Sequence, residues 1–122
     1  MNFESGRSIH EQIRDFVITG IMESRWREDE RLPSVRELAV ELGVNPNTVQ
    51  RSYSSLQEEG VIQNQRGIGF FVAPQGDQRA REIRRQQFER DLLPRVFATM
   101  HELHYTPADI DHMWHQWKEL HP

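Results

Sequence analysis

Apolar residues recur with a helical period along the first half of this chain, in runs cut short by glycine and proline. Ile9, Ile13, Phe16, Val17 and Ile21 form one stripe, which predicts a helix from about Ser8 to Ser24. Ser8-Ile9-His10-Glu11 reads as a capping box at its start. Trp26 to Arg31 reads as a polar loop. A shorter helix, Ser34 to Leu42, puts Leu38, Ala39 and Leu42 on one face. A second capping box, Ser34-Val35-Arg36-Glu37, opens it just after Pro33, and Gly43 supplies the left-handed residue that closes it. The next helix starts with Asn45 as N-cap and Pro46 in its first turn, where a missing N–H is no loss, and stops at Gly60. Val49, Tyr53 and Leu56 fall at i, i+4 and i+7 and should face the core. The opposite face carries Asn47, Thr48, Gln50, Arg51, Ser54 and Ser55. These are polar, mostly uncharged side chains that suit base edges and phosphates.

Beyond Gly60 the pattern changes. Val61-Ile62 and Phe70-Phe71-Val72 flank Gln65-Arg66-Gly67-Ile68-Gly69, which predicts a hairpin with a Gly-x-Gly tip. Leu32 is expected to add a strand of one or two residues to it. Helix, glycine turn, helix and hairpin, in that order, make a winged helix-turn-helix. The second helix of the motif would read the major groove, and the hairpin tip would be the wing. A dinucleotide loop at Gly67-x-Gly69 is a poor alternative: no third glycine follows at the right spacing, and a strand comes next.

Ala73-Pro74-Gln75-Gly76 breaks the pattern again. The expected organisation is a winged helix-turn-helix domain over residues 1–74 and a helical dimerisation segment over 77–122. The fold class is thus mainly α with a small β-hairpin. Asp77 would cap a long helix to about His104, with Ile83, Phe88, Leu92, Val96, Met100 and Leu103 as its apolar positions. Pro94 inside this span predicts a kink or break near Leu93. Thr106-Pro107 starts a last helix with Ile110, Met113, Trp114, Trp117 and Leu120 at helical spacing. Two helices cannot bury two such stripes alone, and a second copy of the chain is the simplest partner. Phe88, Leu92, Val96, Ile110, Met113, Trp114 and Trp117 are the expected dimer interface.

The formal net charge is -4, so no globally basic surface supports nucleic-acid binding. The local distribution says more. No Asp or Glu lies between Glu41 and Glu58, and none follows Glu59 until Asp77. Acids gather instead at Glu28-Asp29-Glu30, which should face away from phosphate. Cysteine is absent, so there is no disulfide framework. Met1 to Ser8 is polar rather than a signal peptide, and no run reaches the length of a membrane span. A soluble cytoplasmic protein is expected. No nucleophile motif or phosphate loop is present, so neither an enzyme nor a cofactor is expected. His101 and His104, and His112 and His115, form i, i+3 pairs that could hold a divalent metal if they faced each other. Ordinary interface or surface groups at the edge of a Trp/Met stripe are the better account of them, and no metal site is assigned.

The run Leu32-Pro33-Ser34-Val35-Arg36-Glu37-Leu38-Ala39, followed by Gly43-Val44-Asn45-Pro46-Asn47-Thr48-Val49, resembles the GntR family of bacterial transcription regulators. The likeness continues through Tyr53, Leu56, Glu59-Gly60 and Gly67-Ile68-Gly69-Phe70-Phe71-Val72. The short tail resembles that of the YtrA-like branch, whose members are dimers that often regulate transporter operons. The resemblance implies a homodimeric, sequence-specific regulator of transcription bound to double-stranded DNA at an inverted repeat. It implies phosphate and base contacts from Ser34 and Arg36, and from Asn45, Asn47 and Thr48 at the start of the reader helix. Gln50 stands where many members carry a guanine-reading arginine; glutamine suits adenine instead, and Arg51 could take over or meet a phosphate. Gly67 and Gly69 match a wing tip that enters the minor groove, with Arg66 beside it. An effector is not implied by so short a tail. Two other readings stay open: a metal-responsive regulator using the histidine pairs, and a winged helix that binds protein instead of DNA.

Overall fold

The computed structural model describes residues 7–122; the polar opening stretch Met1–Gly6 lies outside the described residues. The chain forms two compact units, Met1–Arg84 and Arg85–Pro122. In the first, α1 (Ile9–Met22), α2 (Val35–Leu42) and α3 (Pro46–Glu58) are followed by strands β1 (Ile62–Gln65) and β2 (Gly69–Val72). The strands pair antiparallel, with Ile62 opposite Val72 and Gln65 opposite Gly69. This is the expected winged helix-turn-helix.

The local chemistry read from the sequence is present at the starts of α2 and α3; at α1 only half of the expected capping box forms, with Ser8 Oγ accepting the Glu11 N–H at 3.1 Å. Ser34 Oγ accepts the Glu37 N–H at 3.0 Å while Glu37 Oε1 accepts the Ser34 N–H at 2.9 Å. Gly43 closes α2 at φ 68°, ψ 40°. Asn45 Oδ1 accepts the Asn47 N–H at 2.8 Å. Ile13, Val17, Ile21, Leu38, Ala39, Leu42, Val49, Tyr53 and Leu56 are all buried in one core with Leu32, Val61, Ile62 and Val72.

Tyr53 ties three elements together. Its ring meets Phe70 of β2 edge-on at 4.9 Å, and its hydroxyl donates to Pro33 O at 2.7 Å. Burial, then the Glu41 and Glu37 carboxylates, push its phenol well above the usual range, so it stays a neutral donor. Tyr53→Phe keeps the packing but strands the Pro33 carbonyl. The expected loss is about 1–2 kcal/mol of unfolding free energy, read from urea melts.

Several expectations are corrected by the packing. Ile9 is largely exposed, and Ile18, outside the expected stripe, is fully buried. Trp26 is no polar loop residue: it lies against Gly20 and meets Phe16 edge-on at 6.2 Å, with Arg25 over both rings. The added strand is centred one residue earlier than Leu32, at Arg31 opposite Phe71. It extends through Asp29 N–H to Val72 O and Leu32 N–H to Phe70 O, at 3.0 and 2.8 Å. The acids at 28–30 thus line the base of the wing, not its tip.

α4 runs from Gly76 to Gln87. It begins one residue before the expected cap, so Asp77 lies in its first turn. The boundary expected at residues 74–77 lies elsewhere in the structure. Gly76 and Ala80 are buried, Ile83 packs on the first core, and Arg84 Nη2 donates to Thr19 Oγ1 at 2.7 Å. These contacts hold the first turns of α4 in the first unit.

The long helix expected to His104 is interrupted. A π-helical turn spans Phe88–Leu92, and the Leu93 N–H bonds to Phe88 O. Pro94 explains it, because a proline ring clashes with the carbonyl four residues earlier unless the turn widens. α5 (Leu93–Glu102) then leads through the left-handed His104 to α6 (Pro107–Leu120). Thr106 and Asp109 cap α6 reciprocally. α5 and α6 are exposed almost throughout, and Phe88, Leu92, Ile110, Met113, Trp114 and Trp117 are all exposed in the single chain. Phe97, which the sequence reading passed over, is exposed too. Among the described residues no helix is long and apolar enough to cross a membrane.

Candidate nucleic-acid interface

α3 presents two faces. Val49, Ser52, Tyr53 and Leu56 point inward; Asn47, Gln50 and Arg51 are exposed, and Thr48 is half-buried at the edge. Ser55, expected on the outer face, turns toward α1 and takes a hydrogen bond from Arg14 Nη1. The same guanidinium holds Glu59 at 2.9 Å, so that acid at the far end of α3 is already engaged, while Glu58 beside it is exposed.

The first turn of α3 shapes what it can offer a polyanion. Pro46 has no N–H, Asn47 N–H is taken by Asn45 Oδ1, and Thr48 N–H bonds to Asn45 O at 3.0 Å. Phosphate or base contacts from this end must therefore come from side chains. Asn45 keeps its amide N–H groups for that use, while its Oδ1 serves the cap. Gln50 Nε2 donates to Ser54 Oγ at 3.2 Å, a weak exposed bond that an adenine edge would have to replace.

Arg36, exposed on α2, lines one groove with Val44 and Pro46, which sets it beside the start of α3. Ser34 is half-buried at the start of α2. Its N–H, then its hydroxyl, hold the Glu37 carboxyl below the usual carboxylate range, so that acid is ionised and committed to the cap.

The hairpin is fixed against α3 through Tyr53 and Phe70, and through Val61 N–H to Leu56 O at 2.9 Å. Arg66, Gly67 and Ile68 form its exposed tip, with Ile68 N–H closing on Gln65 O at 2.9 Å. Gly67 has φ 79°, a backbone that side chains resist. Gly69 has φ 145°, and a Cβ there would stand 3.0 Å from Arg31 Nε. The Arg31 side chain therefore lies along the wing, and the sequence reading missed it. Its place directly before the Leu32 strand position was the available signal.

The fold thus sets Arg36 beside the start of α3, whose cap and first two turns carry Asn45, Asn47, Thr48, Gln50 and Arg51, while Ser34 caps α2. It sets Arg66, Gly67 and Gly69 on a hairpin braced against α3. The histidine pairs behave differently. Among the described residues no group of three or more His, Asp or Glu side chains comes together to hold a metal, and His115 Nδ1 turns to Asp111 O of its own helix at 2.7 Å.

Comparison with known proteins agrees with this geometry. The model of bacterial regulatory proteins of the gntR family matches residues 9–72. The HTH-type transcriptional regulator YhcF of Bacillus subtilis is 32% identical over 108 residues, covering 88% of each chain. The HTH-type transcriptional repressor YtrA of the same organism is 30% identical over 92% of this chain and 80% of its own length. A GntR-family regulator from Bacteroides thetaiotaomicron has a crystal structure that superposes with a TM-score of 0.80 at 36% identity, covering 94% of this chain and all of that one. These relatives are transcriptional regulators rather than enzymes. With a family match over its winged helix-turn-helix and full-length relatives that share its short helical tail, this chain belongs to the GntR family of DNA-binding bacterial transcriptional regulators.

Proposed function

We propose that the protein is a sequence-specific repressor that binds an inverted-repeat operator as a homodimer in the cytoplasm. The observation that carries this is the exposed, acid-free face of α3 from Asn47 to Arg51, flanked by Arg36 and by the Arg66 wing tip. Arg36, Arg51 and Arg66 supply the phosphate-neutralising term, and Gln50 with Asn45, Asn47 and Thr48 supplies base choice. Gly67 and Gly69 let the wing approach the minor groove closely. The apolar face of the second unit, exposed Phe88, Leu92, Ile110, Met113, Trp114 and Trp117 with half-buried Val96, would pair across a two-fold axis. Two reader helices would then lie about one DNA turn apart, roughly 34 Å, or at a longer fixed separation. Occupying a promoter is the simplest way such a dimer represses, and a relative named as a repressor supports that sense of regulation.

The test is selection of bound duplexes from a random pool, followed by fluorescence anisotropy over a range of salt. Affinity should fall steeply with salt, and the enriched sequences should form an inverted repeat. A winged helix that serves only to bind protein would show no salt-sensitive duplex binding. Arg36→Ala and Gln50→Ala should each weaken the selected operator by about 1–3 kcal/mol without changing the melting curve. The Gln50 change should relax choice at one base pair, whereas removing a phosphate contact weakens all sequences alike. Full affinity in both variants would mean that α3 docks differently.

A further inference from the structure

Resting on that DNA-binding reading, we propose that His10 is a further DNA contact: a backbone phosphate held by Arg51 is also bound by the His10 imidazole, which takes up a proton to do so. His10 stands at the start of α1, against the Thr48-Ser52 ridge of α3. Its Nδ1 lies 3.0 Å from Ser52 Oγ. Ser52 is fully buried and has one hydroxyl proton, with two carbonyls in reach, Thr48 O at 3.0 Å and His10 O at 3.1 Å. A hydroxyl that donates to a carbonyl leaves its oxygen to accept. With the Ser52 proton assigned to one of those carbonyls, His10 Nδ1 carries the proton that points at Ser52, and in that neutral ring Nε2 is bare. Among the described residues Nε2 has no hydrogen-bond partner, and the residue is only half-buried.

A bare ring nitrogen repels a phosphate oxygen; a protonated one donates to it. Binding through Nε2 thus requires one proton from solvent, and phosphate contact and protonation are one event.

The surroundings set the sign. Arg51 and Glu59 face His10 from α3, and Arg14 and Glu11 face it from α1. Arg14 is engaged by Glu59 at 2.9 Å and by Ser55, while Arg51 has no carboxylate partner among the described residues. Burial first, then Arg51 and Arg14, hold the His10 pKa below its ordinary 6.5, so the free protein carries it neutral at pH 7. A phosphate docked on Arg51 cancels the largest repulsive charge and adds an attractive one. The pKa of the bound state rises, and affinity grows as pH falls from the bound value toward the free one.

The probe is a labelled duplex enriched by the wild-type protein from a random pool, at fixed salt, titrated at about pH 8 and about pH 6. His10→Gln keeps a neutral donor for Ser52 Oγ and removes the titration. The wild-type dissociation constant should tighten about fivefold more than that of the variant over this interval, the share of one proton partly taken up. Subtracting the variant removes the contribution of the other histidines. Independently of any variant, nitrogen NMR of the wild-type His10 ring should show its pKa rising on adding the duplex. Equal pH responses in the two proteins, or a His10 pKa that the duplex leaves unmoved, overturns the proposal. Absence of any salt-sensitive duplex binding by the wild type overturns the DNA-binding reading as well, and is visible before His10 is altered.

Discussion

Replacing Trp114 and Trp117 together with alanine is expected to leave a folded monomer that binds a full operator about a hundredfold more weakly. Both rings sit on α6 with about half their surface exposed, 54% and 50%, in the single chain. They are stacked 5.8 Å apart at 13°, Trp117 lies on His121 at 4.2 Å, and Lys118 reaches over Trp114. So much indole surface in water is unfavourable by about 25 cal/mol for each Å² that a partner would cover. Truncating buried aromatic anchors typically costs about 2–4 kcal/mol each at an interface. Two such losses in each protomer exceed what a small helical dimer can spare. The two winged units would then bind as independent bodies, without the millimolar effective concentration that a second tethered unit provides.

The measurements are sedimentation of the free protein and anisotropy on full and half operators. Half-site affinity should be unchanged, because the Asn47–Arg51 face belongs to the unit that ends at Arg84. A dimer that survives the double substitution would place the interface elsewhere. Phe88 and Phe97, also exposed, would be the next residues to test.

Most of the first unit was legible because its signals are local and agree with one another. The capping box at Ser34, the left-handed Gly43, the Asn45-Pro46 start and the Gly67 tip each depend on a few adjacent residues. The apolar period then adds which face is buried. What escaped depends on residues far apart in sequence. Trp26 is apolar but isolated in a charged stretch, and its contacts with Gly20 and Phe16 are what show that it packs on the core. Ser52 and His10 are 42 positions apart, and nothing local marks them as partners. Pro94 announced an interruption, but the way the backbone absorbs it, by a widened turn one step upstream, depends on how the freed carbonyls are satisfied. Arg95 Nε, for one, donates to Asp91 O at 3.1 Å. The α3 face was readable as polar and acid-free. Its internal bonds, Gln50 to Ser54 and Arg14 to Ser55, required coordinates.

The domain boundary is where local reading and packing diverge most, and one glycine tests it. Ala73-Pro74-Gln75-Gly76 looks like a linker, and in a linker Gly76→Ala would be harmless or mildly stabilising. In the structure Gly76 is buried at the start of α4. A Cβ there would stand 2.3 Å from Val61 O and 3.0 Å from Val72 Cγ1. The Val61 carbonyl cannot swing aside, because it accepts the Ala73 N–H at 3.0 Å, and Gly76 N–H in turn bonds to Ala73 O at 2.7 Å. The clash is with backbone, so relief requires moving α4 away from the hairpin. Gly76→Ala should cost about 3 kcal/mol and lower the melting temperature of the winged unit by roughly 12–24 °C. Gly43→Ala is the control. Its φ of 68° strains an alanine, but no atom lies within 4 Å of the added Cβ. That variant should lose only about 1 kcal/mol, the cost of a left-handed alanine. Equal, small losses at both positions would mean that α4 begins outside the core and that the linker reading was right. A large loss confined to Gly76 makes the first turns of α4 part of the DNA-binding unit.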